Sequence, residues 1–343
     1  MGFCGALMNL KIISWNVRGL NDCEKRLRIW NMIRGWDADI ICLQETKMEF
    51  IIRREIRSLW GCQYLDWLYL GFIHASGGVL VMWDRRMVEK IDKAVGRFFV
   101  SCKFKNVVDH FVWAFTGVYG PNSNQDRRLL WEELAGIHCG WNVPWYIVGA
   151  NSFSSAMLEF SDFISNHNLI DLPLEGGTFT WSNSRAMASW SRLDRFLLSF
   201  DLEEHFPNIH QKRLHRLLLD HFPILLEGEN FLRGSCPFRF ENMWLKAEGF
   251  MEKVRTWWES YHFQGSLSFQ FASKLKALKL DLKKWNAKEF GNVENKMNKL
   301  WKNLEVLDLL EDSCPLSYDE TLEKEQLRID LEKVTLMVEI CWR

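Results

Sequence analysis

At 343 residues with 48% hydrophobic side chains, the chain is long enough to bury a full core and leave room for an appendage. Its 43 Lys and Arg balance 44 Asp and Glu, on either side of Gly228 alike, so the strongly basic footprint common in nucleic-acid binders is absent. No apolar run approaches the roughly 18 residues of a membrane span, and Met1-Gly2-Phe3-Cys4-Gly5-Ala6 lacks a signal peptide's basic start and a myristoylation signal's Ser or Thr. An intracellular protein, nuclear or cytoplasmic, is expected, with residues 1–7 an upstream extension and Met8 just ahead of the first strand. The nine cysteines include no Cys-x-x-Cys pair, which predicts buried, reduced thiols and no zinc site.

Runs rich in Val, Ile, Phe and Trp predict strands at 10–15, 39–44, 77–83, 97–103, 111–118, 145–149, 178–181, 193–198 and 222–226. Helical patterns fall near 23–35, 125–138 and 157–167. Several strands are apolar on consecutive residues, as in Val79-Leu80-Val81-Met82-Trp83, so both their faces must be covered. An α/β architecture follows, with two sheets packed face to face and helices outside, over 8–228. Three of the apolar runs carry oxygen-bearing side chains at their ends. Asn16 closes Ile12-Ile13-Ser14-Trp15, Glu45 follows Ile40-Ile41-Cys42-Leu43-Gln44, and Asp220-His221 precedes Phe222-Pro223-Ile224. Oxygen ligands of this kind suit Mg2+, which points to a metal-dependent phosphodiesterase site. Lys212, Arg213, His215 and Arg216 form either a localised basic patch or a solvated loop.

From about Pro237 the chain turns helical and dense in Lys and Glu. Leu275, Leu278, Leu282 and Trp285, then Val293, Met297, Leu300, Leu304 and Leu307, then Leu327, Leu331, Val334, Val338 and Cys341 keep 3/4 spacing. That stripe predicts helices over 267–312 and 318–341 closing as an antiparallel hairpin within a helical region 238–343, with Gly291 a kink or register change. The tail is expected to self-associate or to pack on the core.

Asn16, Glu45, Asp220 and His221 occur in the chain order of the endonuclease/exonuclease/phosphatase superfamily, whose DNase I-like fold is a four-layer sandwich. Further strings are Ser76-Gly77-Gly78-Val79-Leu80, Val118-Tyr119-Gly120-Pro121-Asn122, Gly177-Thr178-Phe179-Thr180-Trp181-Ser182-Asn183 and Ser191-Arg192-Leu193-Asp194-Arg195-Phe196-Leu197. Together they resemble the endonuclease domain of plant LINE-type retrotransposon polyproteins, from about Leu10 to Leu226. The helical tail is similar to the region that joins endonuclease to reverse transcriptase there.

The resemblance implies a Mg2+-dependent DNA endonuclease, with no membrane partner and no small-molecule cofactor. It implies that Glu45, Asn16 and Asp220 hold the metal, and that Asn16 also meets substrate. Asp220 would orient His221, which contacts the scissile phosphate or manages a proton; Asp194 would join that proton network. Tyr119 and Asn122 would line the phosphate pocket. On the bland alternative, Asp194 pairs with Arg192 and Arg195 as surface charges, and Asn122 is turn chemistry.

Two departures stand out. Relatives carry Gly-Asp-Phe-Asn after the strand that here ends Gly149-Ala150-Asn151-Ser152-Phe153-Ser154, so the family's Asp falls on Ala150 or Asn151 depending on register. The segment before Met157 is also shorter, and Leu219 stands where relatives place Ser. The expectation is therefore a degenerate endonuclease with weak or no activity, or a catalytically dead fold that binds nucleic acid or protein.

Overall fold

A computed structural model describes residues 10–72, 77–121, 123–150, 157–183, 189–206, 208–216, 220–228, 244–245, 249–285, 291–314 and 316–340. The chain divides into two compact units, Met1–Leu232 and Arg233–Arg343.

The first unit holds two large mixed sheets flanked by helices, a DNase I-like arrangement. The first sheet runs in the order β10 (Leu174–Glu175), β14 (His210–Arg213), β15 (Ile224–Glu227), β1 (Ile12–Asn16), β2 (Ile40–Gln44), β4 (Val79–Asp84) and β3 (Leu65–Leu70). The second runs β5 (Val88–Val95), β6 (Phe99–Asn106), β7 (Val112–Tyr119), β8 (Trp145–Ala150), β13 (Asp194–Ser199) and β9 (Leu169–Asp171). A ribbon of β11 (Trp181–Ser182) and β12 (Trp190–Ser191) forms a separate two-stranded sheet, bridged antiparallel from Trp181 to His221 just ahead of β15.

Between the sheets sits one core that includes Ile40, Val81, Trp83, Phe104, Trp113 and Phe196, all fully buried. Burying both faces of β4, at Val79 to Asp84, is what its continuous apolar run requires. Helices α1 (Cys23–Trp36) and α2 (Arg53–Leu59) follow β1 and β2, and Trp36 meets Trp15 edge-on at 5.7 Å. Beyond the second sheet, α3 (Asn124–Trp141) and α4 (Met157–Asn166) cover Val118, Trp145 and Ile147 with Leu130, Leu134 and Phe163. The short α5 (Phe200–His205) follows β13.

Register places the site. β1 and β2 are parallel with Asn16 opposite Gln44, while β15 runs antiparallel to β1 with Ile224 opposite Ser14. The ends of β1 and β2 and the start of β15 therefore share one edge. In the second sheet, β7 and β8 run parallel to Tyr119 and Ala150, and antiparallel β13 starts with Asp194 opposite Ala150.

Some elements differ from expectation. The run at 178–181 yields only the two-residue β11. β3, β5 and α2 carry weaker signals: β5 lies at a sheet edge, sets the charged pairs Glu89-Lys90 and Asp92-Lys93 between apolar residues, and has a bulge between Lys90 and Asp92. Of the cysteines, Cys42 and Cys102 are buried as expected, but Cys23, Cys139 and Cys314 are exposed. No helix among the described residues is long and apolar enough to cross a membrane.

The second unit contains α6 (Phe250–Ser260), α7 (Leu267–Trp285), α8 (Gly291–Ser313) and α9 (Tyr318–Ile340). The stripe at 267–312 thus belongs to two helices, with 286–290 outside the described residues. Leu278, Leu282 and Trp285 of α7 pack with Phe250, Val254 and Trp257 of α6 and with Trp244, while Leu275 stays exposed. In α8 and α9, Leu304, Leu307, Leu331 and Val334 of the stripe are buried, while Met297, Leu300 and Leu327 are half-buried. Cys341 lies outside the described residues.

Candidate active site

β1 and β2 deliver the first pair of groups. Asn16 is buried, and its Nδ2 donates to Glu45 Oε1 at 2.8 Å while its Oδ1 accepts from the Arg18 N–H at 3.2 Å. Glu45 leaves the strand with φ +53, in the left-handed region, and its carbonyl accepts from Gly19 N–H at 2.6 Å. The Gly77-Gly78 pair supports this turn. Gly78 and Gly77 carbonyls accept from Thr46 and Lys47 N–H at 3.2 and 3.1 Å. Gly78 has φ +91, and a Cβ there would collide with Thr46 Oγ1; at Gly77 it would sit 3.3 Å from the Tyr119 ring. Only glycine fits at 78 without moving the loop that carries Glu45.

The start of β15 delivers the second pair. Half-buried Asp220 is ion-paired through Oδ2 with the Arg18 guanidinium and accepts at the same oxygen from the Trp181 indole Nε1, both at 2.8 Å. His221 is buried, its carbonyl held by the Trp15 indole at 3.2 Å, and its Nδ1 lies 2.9 Å from Asp194 Oδ2. Asp194 is 1% exposed and starts a strand of the other sheet, so this bond ties the two sheets together at their shared end. Buried Thr180 accepts at Oγ1 from Leu193 and Asp194 N–H, both at 2.9 Å, and fixes that strand start.

Burial by itself lowers the His221 pKa. The Asp194 charge and hydrogen bond, with Asp220 and Glu45 farther out, outweigh it and raise the pKa above the usual value. The imidazole is thus biased toward its charged form, with Nδ1 engaged and Nε2 left for another partner.

Asn16, Glu45, Asp220, His221 and Asp194 are linked through these contacts, with Tyr119 against Gly77 beside them. Asn122 and Asn151 lie outside the described residues, as does Leu219. Arg192 and Arg195 pair with Asp171, not with Asp194. The supposed basic patch is structural. Arg213 and Arg216 are buried, donating to the carbonyls of Gly176, Phe179 and Asp220, and Lys212 pairs with Glu227. Sequence reasoning assigned no role to Arg18, Thr180 or Trp181, although all three sit inside strings that stand out, Ile12 to Gly19 and Gly177 to Asn183.

Mg2+ is held through one or two carboxylates, with water and phosphate oxygens completing its shell. Glu45 fits that demand, half-buried and braced by Asn16. Asp220 is engaged by Arg18 and Trp181, and Asp194 by His221. Among the described residues no three His, Cys, Asp or Glu gather as a metal cluster. The donor set fits a hydrated ion on Glu45 and not a full protein cage.

A family model described as Endonuclease/Exonuclease/phosphatase family matches residues 13–203. An exodeoxyribonuclease of Bacillus subtilis (strain 168) is 48% identical over 136 residues, which cover 36% of this chain and 50% of that one. The chain thus spans about half the length of this curated relative. An endonuclease/exonuclease/phosphatase family protein of Bacteroides thetaiotaomicron superposes with TM-score 0.50 at 15% identity, over 65% of this chain and 99% of that one. One from Bacteroides vulgatus gives TM-score 0.50 at 14% identity, over 64% and 98%. These structures share the fold.

Proposed function

The chain belongs to the Endonuclease/Exonuclease/phosphatase family, and on that premise we propose that the cluster of Asn16, Glu45, Asp194, Asp220 and His221 is the phosphodiester-cleaving site of a DNA endonuclease in weakened form. The supporting observation is the Asp194–His221 bond across the two sheets, set beside Asp220 and the Asn16–Glu45 pair. In this reading Asp194 holds the imidazole so that Nε2 donates to a phosphoryl oxygen. Asn16 steadies Glu45, and Tyr119 borders the phosphate pocket with Asn122. Bound at Glu45, Mg2+ supplies charge relief on the phosphate and an activated water.

We assign the chain to the retrotransposon branch on Thr178-Phe179-Thr180-Trp181-Ser182-Asn183 and on Ser191 to Phe196. Weakness is argued from the missing Gly-Asp-Phe-Asn string after β8, where the family's Asp falls on Ala150, opposite Asp194, or on Asn151. The same loss favours the second reading, a fold that binds nucleic acid without cutting it.

Losing a carboxylate that organises metal and nucleophile removes several kcal/mol of transition-state stabilisation, at about 1.4 kcal/mol per tenfold. In a plasmid-nicking assay with Mg2+ titration, the chain is expected to nick at least ~100-fold more slowly than an intact relative. Glu45→Ala removes the remaining activity, and a Gly-Asp-Phe-Asn loop rebuilt at 149–153 raises it. Nicking as fast as the intact relative's, abolished by Glu45→Ala, would show that another carboxylate has taken over. No nicking in either the natural or the rebuilt chain would favour the second reading.

A further inference from the structure

We propose that Arg18 is a built-in cation of the site, through which a nucleic-acid phosphate is bound beside Asp220 and His221 without a divalent metal. The proposal rests on the phosphodiester reading above and deepens it.

Arg18 touches both carboxylate arms of the site. Its side chain holds Asp220 at 2.8 Å, and its backbone N–H bonds Asn16, which bonds Glu45. A guanidinium at that distance from Asp220 does electrostatically what a cation bound to that carboxylate would do. It also competes with such a cation, because a carboxylate oxygen engaged by Arg is a poorer ligand for a second positive charge.

The backbone is shaped for this placement. Arg18, Glu45 and Lys47 have φ +45, +53 and +52, three side-chain-bearing residues in the left-handed region where Gly or Asn would be cheaper. Their two loops are fastened by Gly19 N–H to Glu45 carbonyl, Leu20 N–H to Thr46 carbonyl and Asn21 Nδ2 to Lys47 carbonyl, at 2.6, 2.8 and 2.9 Å. Such strain persists where the surroundings impose it, and it concentrates at functional sites.

Donors are left over for a ligand. The Arg18 side chain is 48% exposed, spends one nitrogen on Asp220 and has no other side-chain partner among the described residues. A fork with unspent N–H groups is suited to phosphate oxygens. Two lysines share the rim: Lys25 Nζ donates to the Arg18 carbonyl at 3.0 Å, and the Lys47 side chain passes 3.6 Å from the position of a Cβ on Gly19. Burial first, and Lys47 second, lower the Lys25 pKa, as expected of crowded cations. With its guanidinium on Asp220 and two lysines on the rim, Arg18 moves the site from an acidic one that attracts a divalent ion toward one that attracts an anion.

The test measures binding, not cleavage: fluorescence anisotropy of a short labelled DNA duplex with the full chain, in EDTA and in Mg2+, across a salt series. The natural chain should bind in EDTA within about twofold of its affinity in Mg2+. Arg18→Gln should lose on the order of tenfold in EDTA and lower the salt slope by about one. Arg18→Lys, which keeps the charge but not the fork, should lose less. Calorimetric titration with Mg2+ alone should show tighter uptake by Arg18→Gln, since Asp220 is released; thermal melts establish that both variants fold. DNA binding that requires Mg2+, or binding in EDTA indifferent to both substitutions, overturns the proposal while leaving the endonuclease reading standing. No DNA binding under either condition overturns both.

Discussion

At His221, two effects of burial oppose each other. Removing the ring from water disfavours its charge, but the same removal strengthens its attraction to Asp194 at 2.9 Å, with Asp220 and Glu45 adding to it, and attraction wins. A folded-state pKa above the unfolded value of about 6.5 means the native state binds the proton more tightly. The stabilisation is complete below that unfolded value and is lost as pH rises through the raised, folded one. Asp194→Asn removes the charge responsible. The melting-temperature gap between the natural chain and Asp194→Asn should therefore be wider near pH 6 than near pH 9. A gap that stays flat, or grows with pH, would show that His221 is held neutral and would remove the phosphate-donating role proposed for it.

Among elements, the hairpin of α8 and α9 carries a charge where its apolar stripe predicts none. Lys324 continues the Leu327, Leu331, Val334 spacing toward the start of α9, is 4% exposed, and reaches Asp308 and Glu311 of α8 at 2.5 Å each. The Glu311 contact is an aligned hydrogen bond, whereas Asp308 Oδ1 is an ion-pair partner only. Removing one partner of a buried pair leaves the other charge uncompensated, at about 3–5 kcal/mol. Lys324→Ala should lower the melting temperature of the helical unit sharply; adding Asp308→Leu and Glu311→Leu should recover most of the loss, as circular dichroism would read. Full stability of Lys324→Ala alone would mean that Asp308 is solvated. The same comparison explains what was legible in the sequence. Apolar runs reveal strands because both faces of β1, β2 and β4 are buried, and polar residues at their ends reveal Asn16, Glu45 and His221. An edge strand such as β5, with charged pairs at 89–90 and 92–93 breaking its apolar run, escapes notice. Arg18 and Trp181 escaped because both find their partner in Asp220, which lies in another element far from Arg18 and 39 residues from Trp181 in sequence, and spacing along one element cannot show that.

For the whole molecule, each unit has its own apolar core. The cluster between the two sheets draws only on residues from Leu10 to Leu226, and the cluster around Trp244, Phe250, Leu282 and Trp285 only on the second unit. A unit that buries its own core can fold alone, and the chain between two such units is where few stabilising contacts are lost on cutting. The boundary after Leu232 falls between the proposed domains 8–228 and 238–343. Limited proteolysis is expected to cut first within 229–237 and to leave an amino-terminal fragment that melts cooperatively and retains the DNA affinity of the full chain. The affinity should survive because Arg18, Glu45, Asp194, Asp220 and His221 all belong to the first unit. First cleavage inside 77–120 would place the weak point within the second sheet and its neighbour β4, where the core predicts the strongest protection. A fragment that folds but loses DNA would move part of the binding surface onto the helical unit, whose α6 to α9 would then be the elements to substitute.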